Sequence, residues 1–201
     1  MPYHAGRAWL RATLYFGACW SIAALAGAMA PLGTPVTAVD GLWWGVTVAA
    51  LIVSFVGYWI IWPMGTVTAG RSLHAGWAAS FGVVWGVSEG ALLVAFWTVV
   101  DDLVAPDWLA VTICFLLFGG LSAVWHERYW DVKVAPPHNI PEWDRVKIAF
   151  VHSPFLLVVL VHLARYGQGR VAVSAYAIAL VGASIAMRFP PPIDRPIGSP
   201  P

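Results

Sequence analysis

Six apolar stretches run through the chain, separated by short polar breaks, at about 9–30, 42–62, 76–99, 107–125, 144–164 and 171–187. Each is close to the ~20 residues that an α-helix needs to cross a bilayer core. The strict alternation of apolar and polar positions that marks a membrane β-barrel strand does not occur. The pattern therefore predicts an all-α, polytopic integral membrane protein: a bundle of six transmembrane helices in a single domain over residues 1–188. The end of the chain, "FPPPIDRPIGSPP" at 189–201, cannot continue a helix, because proline fixes φ and removes a backbone donor. A disordered tail is expected there.

The first stretch has a rival reading. Arg7 and Arg11 precede an apolar run ending in "AGAMAP", with Ala28 and Ala30 spaced like a signal-peptidase site. Pro31 would then follow the cut, a poor position for cleavage, and the run is long enough to span. A retained helix is expected.

Composition sharpens the picture. Of 201 residues, 60% are hydrophobic and 10% are charged, against about 25% charged in a soluble domain. So few charges cannot cover a water-facing surface. A net charge of +1 excludes a nucleic-acid footprint. No P-loop and no GxGxxG points to a nucleotide, and no Ser-His-Asp order or nucleophilic cysteine is present. Cys19 and Cys114 lie inside apolar runs, where a thiol acts as a small hydrophobe.

Lys and Arg in the short loops set orientation. Arg7, Arg11, Arg71, Arg128, Lys133, Arg145, Lys147, Arg188 and Arg195 agree with both termini on the cytoplasmic side of a bacterial-type plasma membrane; Arg165 and Arg170 dissent. Most of the 13 tryptophans fall near the two interfaces in this arrangement, as an aromatic belt would. Trp20 and Trp85 sit well inside.

Within the third stretch, Ala78, Gly82, Gly86 and Gly90 recur every fourth residue. Such a stripe of small residues lets a second helix approach closely. Its expected use is packing within the chain, against Gly119, Ser122 and Ala123 of the fourth stretch; a homo- or hetero-oligomer contact is the alternative. Beside the stripe stands Glu89, the one carboxylate inside any apolar run. A charged acid near the midplane costs at least a few kcal/mol, so such a residue marks a function more often than a packing accident. Trp85 lies one turn before it on the same face. His152 is the second polar residue within a run. Pro154 follows it and removes an amide that Phe150 would have bonded, which predicts a local irregularity and a polar pocket.

The window 126–152, "HERYWDVKVAPPHNIPEWDRVKIAFVH", holds three of the chain's histidines and four of its carboxylates. It reads as the wet end of the fourth helix, a proline turn, and a helix start at Asn139, Pro141 and Glu142. Glu127, Asp131, His138 and Glu142 are candidate ligands for a divalent metal such as Fe, Mn or Zn, although no known ligand spacing is met; "HERYW" lacks the second histidine of a zinc-protease motif. The acid–base reading takes Glu89 as a buried acid with His126 and His152 as bases. Trp85, Trp130 and Arg145 would bind substrate, with Trp85 stacking on a lipid or stabilising positive charge. A wet cytoplasmic loop with surface ion pairs explains the same charges with no site at all.

The expectation is a membrane-embedded enzyme acting on a lipid or isoprenoid-like substrate by acid–base or metal-assisted chemistry. Membrane lipid is its partner, with no nucleotide or nucleic acid. A proton-linked carrier and a non-catalytic subunit of a larger complex are the alternatives.

Overall fold

A computed structural model describes residues 5–37, 40–66, 68, 71–125 and 142–190, with the side chains of the last stretch described from residue 145. Among the described residues every long element is helical. Helix α1 spans Ala5–Leu25, α2 Met29–Gly33, α3 Gly41–Val56, α4 Ala75–Leu103, α5 Asp107–Trp125, α6 Glu142–Lys147, α7 Ser153–Tyr166 and α8 Gly169–Ala186. A π-helical turn, Gly57–Ile61, extends α3, and another, Ile148–His152, joins α6 to α7.

Five helices are long and apolar enough to cross a membrane: Gly41–Ile61, Ala75–Leu103, Asp107–Trp125, Arg145–Tyr166 and Gly169–Ala186. The six-span expectation is met in these five. Helix α1 has the length, at 21 residues, but its arginines, threonine and serine dilute its apolarity. It also ends at Leu25 rather than near residue 30, because Gly27 takes φ of +75°, which turns the chain into α2. Helix α4 runs four residues past its expected end and takes Asp101 and Asp102 into its last turn.

Local chemistry sets the other boundaries. The Asp40 carboxylate accepts from the amides of Leu42 (3.2 Å) and Trp43 (3.3 Å) and caps α3. Gly167, at φ of +61°, ends α7 in the left-handed conformation that glycine adopts without a Cβ clash.

Helix α4 is the centre of the bundle, with α8, α1 and α5 against it. On its small-residue stripe, a Cβ added at Gly82, Gly86 or Gly90 would stand 2.5, 2.5 or 2.6 Å from the Cα of Val181, Ala177 or Val173. Backbone therefore meets backbone along the α4–α8 seam. This corrects the expected pairing with Gly119, Ser122 and Ala123: Gly119 instead faces Leu156 of α7, and nothing lies within 4 Å of a Cβ on Gly120. With α8 on it, the stripe is covered inside the chain, which takes away its use as an oligomer contact.

Contacts sort the loops onto two ends. At one end Trp9 meets Trp77 and Phe81, at 5.6 and 5.4 Å between ring centres, and Phe81 meets Phe189 at 5.4 Å. There Arg71 donates to the Met187 carbonyl (3.2 Å) and Arg188 to the Arg71 carbonyl (2.8 Å). Burial lowers the pKa of the Arg71 guanidinium from its usual value. At the other end Arg165 pairs with Asp40 at 3.3 Å and Arg170 donates to the Leu32 carbonyl at 2.9 Å. The two arginines that dissented from the loop-charge pattern are thus each held by a group of the protein. Exposed tryptophans mark both ends: Trp59 and Trp77 at the first, Trp43 and Trp108 at the second. Lys147, expected in the wet region, is buried.

Candidate functional site

Glu89 lies on α4 beside the glycine seam, on the flank it shares with Trp85, Leu92 and Phe96. Its carboxyl Oε1 accepts from the indole Nε1 of Trp85, one turn earlier, at 3.0 Å. Tyr15 of α1 stacks on Trp85, with ring centres 4.3 Å apart and planes within 15°. Tyr15 also stacks on Trp125 of α5 at 5.6 Å and 21°, and Phe81 continues the column beyond Trp85 at 6.2 Å. Offset stacking of this kind adds to the burial energy of each ring.

Between α1, α4 and α5 this arrangement leaves a cavity of about 280 Å³, lined by Tyr15, Glu89, Leu92, Phe96, Phe118, Leu121, Ser122 and Trp125. Glu89 is 6% exposed and stands at the deep side, whereas Leu121 is 61% exposed on the outside of the bundle. Leu121 therefore places one edge of the cavity at the apolar outer surface of α5. A pocket with apolar walls and one convergent polar group is the usual form of a small-molecule site. Among the described residues of these walls Glu89 is the one carboxylate, and no Lys, Arg or His is found.

His152 sits elsewhere. Its Nδ1 and the Tyr58 hydroxyl are 2.8 Å apart, and Trp62 lies 6.4 Å from the imidazole between ring centres. Both partners come from π-helical turns, which face each other: a Cβ on Gly57 would meet Val151 at 3.2 Å. Pro154 accounts for one of the two turns. It lacks the amide that would close the preceding α-turn, and the backbone widens instead. His152 is not among the described residues that line the Glu89 cavity.

A second buried histidine, His162, lies near the end of α7. Its Nε2 is 3.1 Å from Gln168 Oε1, and Gln168 Nε2 donates to the Thr37 carbonyl at 2.9 Å. That chain ties the α7–α8 turn to the loop before α3.

The remaining expected site residues are placed as follows. His126, Glu127, Trp130, Asp131 and His138 lie outside the described residues, as does the side chain of Glu142, whose backbone opens α6. Arg145 is exposed at the start of the span Arg145–Tyr166. Among the described residues no three His, Cys, Asp or Glu side chains gather as a metal site. Trp85 is where a stacking residue was expected, but its indole NH is committed to Glu89.

Sequence reasoning missed Tyr15, Phe96, Phe118 and Trp125 as cavity walls, and Tyr58 as the partner of His152. Tyr15 and Tyr58 did carry a signal: each puts a hydroxyl inside an apolar run. No protein-family model, curated protein or solved structure matches the chain, so its function is read from this geometry.

Proposed function

We propose that this chain is a membrane-embedded enzyme acting on a lipid-like amphiphile, with Glu89 as its proton-transferring group. The observation that carries the reading is the placement of Glu89 at the deep side of an apolar cavity whose mouth is on the lipid-facing surface. A substrate reaches such a site from the hydrocarbon without passing through water. A carboxyl group that borders an apolar pocket with one oxygen unengaged can give a proton to a substrate held against it or take one from it. Trp85 fixes the carboxyl's rotamer through one oxygen and leaves the other for the substrate. The stacked rings of Tyr15 and Trp125 would hold a flat or positively charged part of the ligand.

In this reading α1 is the sixth span, and both described ends of the chain face the cytoplasm at a bacterial-type plasma membrane. Metal assistance would come from Glu127, Asp131, His138 and Glu142, with His126 as a further base. The carrier alternative needs a polar path past Trp97 toward Asp101. The buried residues of α4 on that route, Leu93, Val94, Ala95, Trp97 and Val100, are apolar, which favours a site served from the lipid.

The test is turnover in proteoliposomes that contain defined phospholipids and prenols, followed by mass spectrometry of the lipids. Conversion of one component by the wild type, lost in Glu89→Gln with the monomer still folded, is expected. An unchanged lipid pool with the wild type would refute the enzyme reading.

A further inference from the structure

The walls of the Glu89 cavity are chemically lopsided. Among the described residues they carry one carboxyl group and a set of aromatic rings, but no basic side chain. Glu89 Oε1 is engaged by Trp85. No other hydrogen bond from a described residue reaches the carboxyl, and the side chain nevertheless borders the cavity. A buried carboxyl with a free acceptor and no cation of its own calls for a positively charged partner. Aromatic faces beside it strengthen that preference, since a ring attracts a cation placed over it.

We propose that the pocket binds a long-chain amine: a protonated ammonium on an apolar tail, entering from the bilayer between α1 and α5. This inference rests on the lipid-served pocket described above and names the class of its occupant. The ammonium would donate to Glu89 Oε2, with the rings of Phe96, Phe118 and Trp125 around it. About 280 Å³ is the space of roughly nine liquid water molecules at ~30 Å³ each. That holds the head and the first carbons of a tail, and the rest passes Leu121 into the hydrocarbon. A carboxylate or phosphate head would set a second negative group beside Glu89 with no counter-charge in the walls. A neutral alcohol would gain a hydrogen bond but no charge pairing.

The experiment uses the full chain in phospholipid nanodiscs and a dodecylamine bearing a photoreactive diazirine in its tail. Adducts are mapped by mass spectrometry, with unlabelled dodecylamine, dodecanol and dodecanoate as competitors. Adducts on Phe118 or Leu121, displaced by dodecylamine at concentrations about tenfold or more below dodecanol and not by dodecanoate, are expected. Glu89→Gln should erase the difference between amine and alcohol. Ser122→Trp, which fills the pocket and leaves the carboxyl in place, should abolish the adducts; it serves also if Glu89→Gln does not fold. Equal competition by amine and alcohol, or a preference that survives Glu89→Gln, overturns the amine assignment and leaves the pocket reading standing. Adducts spread over exposed helix faces with none at the pocket walls, or adducts that persist in Ser122→Trp, overturn both.

Discussion

The two sides of α4 are built from the same helix to opposite ends. Toward α8 it presents Gly82, Gly86 and Gly90, and the backbones touch with no room for a methyl group. Toward α1 and α5 it presents Trp85, Glu89, Leu92 and Phe96, whose bulk holds the neighbours off and leaves a cavity. A membrane bundle gains little hydrophobic energy by bringing helices together, because lipid tails are as apolar as leucine. Its stability is therefore concentrated where packing is closest, and space for a ligand is left where packing is loose. A close seam on one side lets the other side stay open.

The seam is the place to break the molecule. Gly86→Leu drives a side chain into the Ala177 backbone, and overpacking of that kind costs about 3 kcal/mol or more. Loss of monodisperse protein in detergent, or a marked fall in the thermal midpoint, is the expected result. The same residue introduced into the cavity on the other side of α4, from α5 in Ser122→Leu, enters empty space and should change stability by no more than about 1 kcal/mol. Equal damage from both would mean that the two sides do not differ as described.

Glu89 sharpens the comparison from the functional side. Glu89→Leu removes a polar group from an apolar pocket but also takes the acceptor from the buried Trp85 indole NH; the two effects offset, so stability should change by no more than about 1 kcal/mol, read as the thermal midpoint, while ligand binding is lost. A large destabilisation would make Glu89 a packing element instead.

The hydropathy of the chain made the spans legible, because bilayer thickness sets their length whatever the neighbours are. Pro154 made the irregularity at His152 legible, since a missing amide acts within one turn. The glycine stripe announced a close contact but not with which helix; α5 offers small residues as α8 does, and sequence alone does not say which one α4 meets. Tyr15 and Trp125 were out of reach for the same reason. They are more than a hundred positions apart, and only the fold around α4 stacks them. Glu89 was legible because an acid in an apolar run has few harmless explanations, whereas the hydroxyl beside His152 was not, because Tyr58 is 94 positions away and only the fold brings the two together.

Smaller effects probe the second cluster and the outer rim. Tyr58→Phe deletes the hydroxyl beside His152 Nδ1 and should cost about 1 kcal/mol, with similar coupling in a double-mutant cycle with His152→Phe. No coupling would mean that the two side chains are neighbours without a bond. Arg165→Gln removes an exposed pair with Asp40, and the smallest shift of the series in thermal midpoint is expected.

The central claim is that Glu89, though buried, is reached from the lipid. A hydrophobic carbodiimide partitions into the bilayer and couples to protonated carboxyl groups there; a water-soluble carbodiimide does not enter. The labelled protein is digested and its modified acids are located by mass spectrometry. Modification of Glu89 by the hydrophobic reagent, little or none by the soluble one, and protection in Ser122→Trp are the expected result. Glu89 left unmodified by the hydrophobic reagent while the exposed Asp101 and Asp102 react would contradict it.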